Sequence, residues 1–139
     1  MKFLSNGPDE TKDLGRKLGK KLKRGDVVCL YGELGSGKTV MVKGIASVFG
    51  INERDITSAS FTIIAEYDAD VPFYHIDLYR VAAGKSSELG LREYLGGTGI
   101  SVIEWAERAE DEIPEDCIKV RLNYKSDNVR EIEITGMEL

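Results

Sequence analysis

The chain has 139 residues, 42% hydrophobic and 31% charged, with a formal net charge of −5. That length suits one domain with a genuine core. No apolar run approaches the ~18 residues of a membrane span, no signal-like segment opens the chain, and two cysteines make no disulfide framework. The composition therefore predicts a single cytoplasmic domain over residues 1–139, with Cys29 and Cys117 as buried free thiols.

In chain order, Leu14, Leu18 and Leu22 recur at helical spacing. They predict an amphipathic helix from about Asp9 to Leu22, with Asp9 or Thr11 as its N-terminal cap. From Lys12 to Arg24, seven cations stand against Asp13, a local charge of +6 that leaves −11 for the remainder. Such an acidic body argues against broad, autonomous nucleic-acid binding. The basic segment is either a solvated helix face or a contact for RNA or an acidic protein.

Asp26 to Tyr31 is an apolar run suited to a buried strand. Gly32-Glu33-Leu34-Gly35-Ser36-Gly37-Lys38-Thr39 follows and matches G-x-x-x-x-G-K-[ST], the phosphate-binding loop of nucleoside triphosphatases. Its glycines let successive backbone N–H groups turn toward an anion. Lys38 supplies a point charge for the β- and γ-phosphates, and the Thr39 hydroxyl is placed for Mg²⁺. Val40, Val42, Ile45, Ala46 and Phe49 then repeat at helical spacing until Gly50, so an anion would also meet a helix N-terminus.

Ile51 to Ser60 reads as a connector. Phe61 to Tyr67 and Phe73 to Tyr79 read as a hairpin, and Ala82 to Gly99 as a loop around a short helical stretch, Ser86 to Leu95. Ile100 to Trp105 is a strand, followed by a short helix ending near Pro114. Cys117 to Tyr124 and Val129 to Thr135 form a second hairpin. The expected fold class is α/β: a phosphate-loop NTPase-type, three-layer fold with a mixed, centrally parallel sheet and antiparallel hairpins.

A phosphate loop needs a metal-holding carboxylate and a group to orient attacking water. Glu104 ends an apolar strand, as the acid of a Walker B element does, and would hold the metal directly or through water. His75, Asp77 and Tyr79 alternate onto one strand face. Asp77 is a candidate to position water or accept its proton, with Arg80 neutralising charge; the alternative is a polar face that only meets solvent. Trp105, the only tryptophan, is either core packing or a neighbour of the metal.

These residues together resemble the TsaE (formerly YjeE) family, small bacterial ATPases that take part in making threonylcarbamoyladenosine in tRNA. The family's threonine before the first helix is matched by Thr11 and its phosphate loop by Gly32 to Thr39. Its Ser-Pro-Thr-Phe element is matched by Ser58-Ala59-Ser60-Phe61. His75, Asp77, Tyr79 and Arg80 match its His-x-Asp-x-Tyr-Arg strand, and Glu104-Trp105 its Glu-Trp pair. Ala59 replaces the family's proline, and Asn128-Val129 precede Arg130 where glycine is expected.

The resemblance implies that ATP is held by Glu33, Leu34, Gly35, Ser36, Gly37, Lys38 and Thr39, with Thr11 near adenine and Arg130 meeting the nucleotide. It implies Mg²⁺ on Thr39 and Glu104, and catalysis through Asp77, Glu104 and Lys38. Ser58 to Phe61 would be a switch-like loop. It further implies TsaB- and TsaD-like partners, with tRNA reached indirectly through their complex; the small chain and missing substrate domain predict slow hydrolysis without them. Two rivals share the loop: a small-molecule or nucleoside kinase, and a nucleotide-gated RNA- or protein-binding module. A GTPase is disfavoured because Asn-Lys-x-Asp is absent.

Overall fold

Val27–Tyr31 is buried at every residue, and it becomes β2, the central strand of a seven-stranded sheet. The structure, a computed structural model, describes residues 1–57, 63–82 and 84–139. The other strands are β1 (Lys2–Ser5), β3 (Ile64–Asp68), β4 (Pro72–Asp77), β5 (Ile100–Glu104), β6 (Ile118–Tyr124) and β7 (Arg130–Thr135). Two α-helices, α1 (Pro8–Lys21) and α2 (Lys38–Ser47), complete the main elements.

The sheet order is β1-β7-β6-β2-β5-β4-β3. β4, β5, β2 and β6 run parallel, while β3 pairs with β4, and β7 with β6 and β1, in antiparallel fashion. A phosphate-loop α/β fold with a parallel centre and antiparallel hairpins is thus present as the sequence predicts. β1 has no counterpart in the sequence reading: four residues with one buried position carry too little pattern to mark a strand.

The two faces are covered differently. Helices α1 and α2 lie on one, over Val28, Leu30, Phe73, Val102 and Val120. They approach closely at Gly15, where a Cβ would stand 2.6 Å from the carbonyl oxygen of Met41. On the other face Cys29, Tyr31, Ile76 and Ile103 lie beneath Leu91, Ala106 and Ala109. Those residues belong to 3₁₀ helices at Leu91–Glu93 and Ala106–Ala109, so this third layer consists of short turns. The helical stretch expected from Ser86 to Leu95 is likewise two 3₁₀ helices, Ser86–Leu89 and Leu91–Glu93, broken by Gly90 in the left-handed region.

Several boundaries move for local reasons. α1 begins at Pro8 with Gly7 as its cap, and no side chain bonds the first turn. Proline fixes φ and needs no N–H partner, so the helix starts before Asp9, and Thr11 lies inside it. β4 stops at Asp77, whose carboxylate accepts the Tyr79 N–H at 3.0 Å and turns the chain. Cys29 and Cys117 are free and buried, as expected. In the basic segment Lys12 pairs with Glu53, Arg16 with Asp13, and Lys23 with Asp26, leaving Lys17, Lys20 and Lys21 on an exposed face.

Candidate functional site

Parallel strands β2, β5 and β4 end at one edge, and the side chains that matter are gathered there. Open α/β sheets present their ligand crevice at this carboxyl end. From β2 the chain enters the glycine loop and then α2. Gly37 caps α2 at φ 104, a left-handed conformation that a residue with a Cβ rarely adopts. The first turn of α2 therefore sets Lys38 and Thr39 at the mouth of the crevice.

Lys38 is 4% exposed. Its ammonium donates to the carbonyl oxygens of Gly32 and Glu33, the latter at 2.9 Å, and lies 3.5 Å from Ser36 Oγ. It also stands 4.1 Å from the centre of the Trp105 ring, a cation–π distance. Burial pushes its pKa down, while the carboxylates of Glu104, Glu107 and Asp77 push back.

Register places Glu104 opposite Asp77 and Leu30, on the face that α2 covers. The Thr39 hydroxyl donates to both oxygens of the Glu104 carboxylate, at 2.9 and 3.1 Å. His75 Nε2 lies 2.6 Å from Glu104 Oε2. Glu104, His75 and Asp77 are all buried. The strand face carrying His75 and Asp77 is thus buried, with Asp77 at the wall of a cleft. Burial raises the Asp77 pKa, as does the Glu104 charge; the Tyr79 N–H pulls it back.

Lys38, Thr39, Asp77 and Glu104 line one cleft of about 490 Å³, together with Leu34, Gly35, Gly37, Val40, Tyr79 and Trp105. Thr11, Ser36 and Arg130 meet Gly35 and Gly37 at a smaller cleft of about 130 Å³ on the other side of the loop. There Arg130 donates to the Gly35 carbonyl at 3.1 Å and stacks over Tyr124 at 4.6 Å. The Thr11 hydroxyl is 2.7 Å from that of Ser5, which explains its burial inside α1. Glu33 is exposed and lines a third cleft of about 590 Å³, with Leu34, Trp105, Glu107 and Arg121.

Two sequence expectations shift here. Arg80 is exposed and lines none of these clefts. The arginine beside the aromatic wall is Arg108, 5.3 Å from the Trp105 ring and 5.8 Å from that of Tyr79, bonded to the carbonyls of Tyr79 and Val81. No linear motif marks Arg108, which arrives on the 3₁₀ helix after Trp105. Trp105 itself adopts φ 59, the only left-handed non-glycine residue among those described. Its ring packs against the edge of the second core cluster and also faces Lys38, so it is both core packing and a neighbour of the phosphate loop. The Ser58 to Phe61 element lies outside the described residues.

The oxygens of Thr39 and Glu104 suit a hard divalent cation such as Mg²⁺, which takes one or two protein oxygens plus phosphate and water. Among the described residues no three His, Cys, Asp or Glu side chains converge as a metal cage. Nor, among those residues, is any helix long and apolar enough to cross a membrane.

Comparison with known proteins gives a consistent answer. The model of the family described as threonylcarbamoyl adenosine biosynthesis protein TsaE matches residues 5–132. The tRNA threonylcarbamoyladenosine biosynthesis protein TsaE of Bacillus subtilis is 39% identical over 138 residues, spanning 99% of this chain and 86% of that one. The protein of the same name from Treponema pallidum is 40% identical over 135 residues, spanning 96% and 99%. A crystal structure of Bacillus subtilis YdiB superposes with a TM-score of 0.78 at 38% identity, covering 95% of this chain and 82% of that one. A family model matched from residue 5 to residue 132, and relatives 39% and 40% identical over nearly the whole chain, show that the chain belongs to the TsaE family.

Proposed function

We propose that the protein is an Mg²⁺-dependent ATPase that supports threonylcarbamoyladenosine formation in tRNAs reading codons that start with A. The observation that carries this reading is the convergence of Lys38, Thr39, Asp77 and Glu104 on one cleft at the head of α2. Lys38 is stripped of water yet bonded only to neutral acceptors, so a triphosphate would supply the anion it lacks. Mg²⁺, when bound, neutralises charge on the β- and γ-phosphates; Thr39 and Glu104 would hold it. Asp77, with its pKa raised, orients the attacking water or takes its proton. Thr11 and Arg130 flank the space for the adenosine portion.

The relatives are named for threonylcarbamoyladenosine biosynthesis, and hydrolysis here would drive turnover of a TsaB–TsaD complex, slowly in its absence. Two buried free thiols, together with a need for ATP and Mg²⁺, favour the cytoplasm as the site of that work. The kinase reading has one observation on its side: the cleft of about 590 Å³ beside Glu33 and Trp105 could receive an acceptor. Following radiolabelled γ-phosphate separates the two. Label appearing as free phosphate supports the ATPase; label retained on a small molecule or nucleoside would overturn it.

A further inference from the structure

Glu104 has two buried partners, and only one of them lies in the phosphate loop. The second is His75, 3% exposed, whose register partners Ala65 and Val102 are both apolar. Among the described residues the imidazole has one side-chain hydrogen-bond partner, Glu104 Oε2 at 2.6 Å. An imidazole in an apolar layer is expensive to bury unless its polar atoms are used. His75 stands two residues before Asp77, the register partner of Glu104, so its ring reaches diagonally along the same sheet face.

We infer that His75 is a positioning residue for Glu104, fixing the carboxylate plane so that one oxygen is presented with the Thr39 hydroxyl to a divalent cation. The inference rests on the Mg²⁺-ATP reading above. Oε2 receives the short contact from His75 and the longer one from Thr39, while Oε1 receives the shorter Thr39 bond. A carboxylate oxygen accepting from Thr39 also accepts the Nε2–H of His75. Held from behind, the carboxylate keeps the remaining Oε1 lone pair toward the cleft. Partners of this kind behind a ligating carboxylate are typically worth about 10–100-fold in metal affinity.

The test is calorimetric titration of the full chain with a non-hydrolysable ATP analogue, with and without Mg²⁺. For His75→Leu, the enhancement of nucleotide affinity by Mg²⁺ should fall at least about tenfold, with Mg²⁺-free affinity unchanged. His75→Gln, which retains an N–H donor at similar reach, should recover part of it and guards against failure of the leucine variant to fold. Equal loss of Mg²⁺-free and Mg²⁺-bound affinity, or an unchanged enhancement in both variants, would overturn the inference and leave His75 as a packed core residue. An unsubstituted protein that binds the analogue equally with and without Mg²⁺ would overturn the metal reading itself and this inference with it.

Discussion

The hydroxyl of Thr39, in the first turn of α2, donates to the carboxylate of Glu104, the last residue of β5, at 2.9 and 3.1 Å. Sixty-five positions apart in sequence, the two oxygens that would hold Mg²⁺ already touch. Glu104→Gln keeps the shape and an acceptor for Thr39 but removes the charge. Hydrolysis by this variant should fall about 10²-fold or more, since metal charge stabilisation is worth several kcal/mol. A steady-state phosphate-release assay at saturating Mg²⁺ checks it, and loss of less than about threefold would remove Glu104 from the mechanism.

Trp105 is placed to report on Lys38. The ammonium lies 4.1 Å from the ring centre, held by carbonyls of its own loop. A triphosphate would draw that cation toward its oxygens and away from the indole. Because the chain has one tryptophan, ATP titration should change the intrinsic emission saturably, and Lys38→Ala should abolish the change. Emission that responds identically in the Lys38→Ala variant would disconnect the ring from the phosphate site.

The role proposed for Asp77 would come at a cost in stability. Burial and the Glu104 charge raise its pKa above the ordinary 3.8, so the folded state binds its proton more tightly than the unfolded chain does. Stability contributed by that group is full below pH 3.8 and is lost as pH rises through the raised value. Asp77→Asn retains an acceptor for the Tyr79 N–H without the charge. Its melting temperature should match the parent near pH 3.8 and exceed it increasingly toward neutrality, while hydrolysis falls. Thermal melts across pH decide it; a variant less stable than the parent at neutral pH would contradict the assignment.

The contact of α1 with α2 depends on an absent side chain. A Cβ at Gly15 would meet the Met41 carbonyl oxygen at 2.6 Å, and backbone there cannot rotate aside. Gly15→Ala should lower stability by about 1–3 kcal/mol through overpacking. Urea denaturation should show a lower midpoint with an unchanged slope. An unaltered midpoint would mean that the helices separate without penalty.

Much of this site could be read in the sequence because its parts are locally encoded. Gly32 to Thr39 carries its own geometry, and Ile100 to Glu104 is an apolar strand ending in an acid. Which way the His75–Asp77 face points could not be read there. Alternation shows that the two share a face, but only the tertiary fold, which sets His75 against Glu104 and Glu104 under Thr39 of α2, makes that face an interior one. Arg108 escaped for a similar reason: it approaches Trp105 because a left-handed residue redirects the chain. β1 escaped because an edge strand of four residues owes its pairing to β7, not to a pattern of its own.

The central claim is that ATP hydrolysis at Lys38 serves tRNA modification. Its most direct test is multiple-turnover formation of threonylcarbamoyladenosine on tRNA by a purified TsaB–TsaD complex supplied with a threonylcarbamoyl donor, ATP and Mg²⁺. Adding this protein should sustain turnover, and the Lys38→Ala variant should leave the reaction where it stands without the protein. Turnover supported equally by Lys38→Ala would contradict the account.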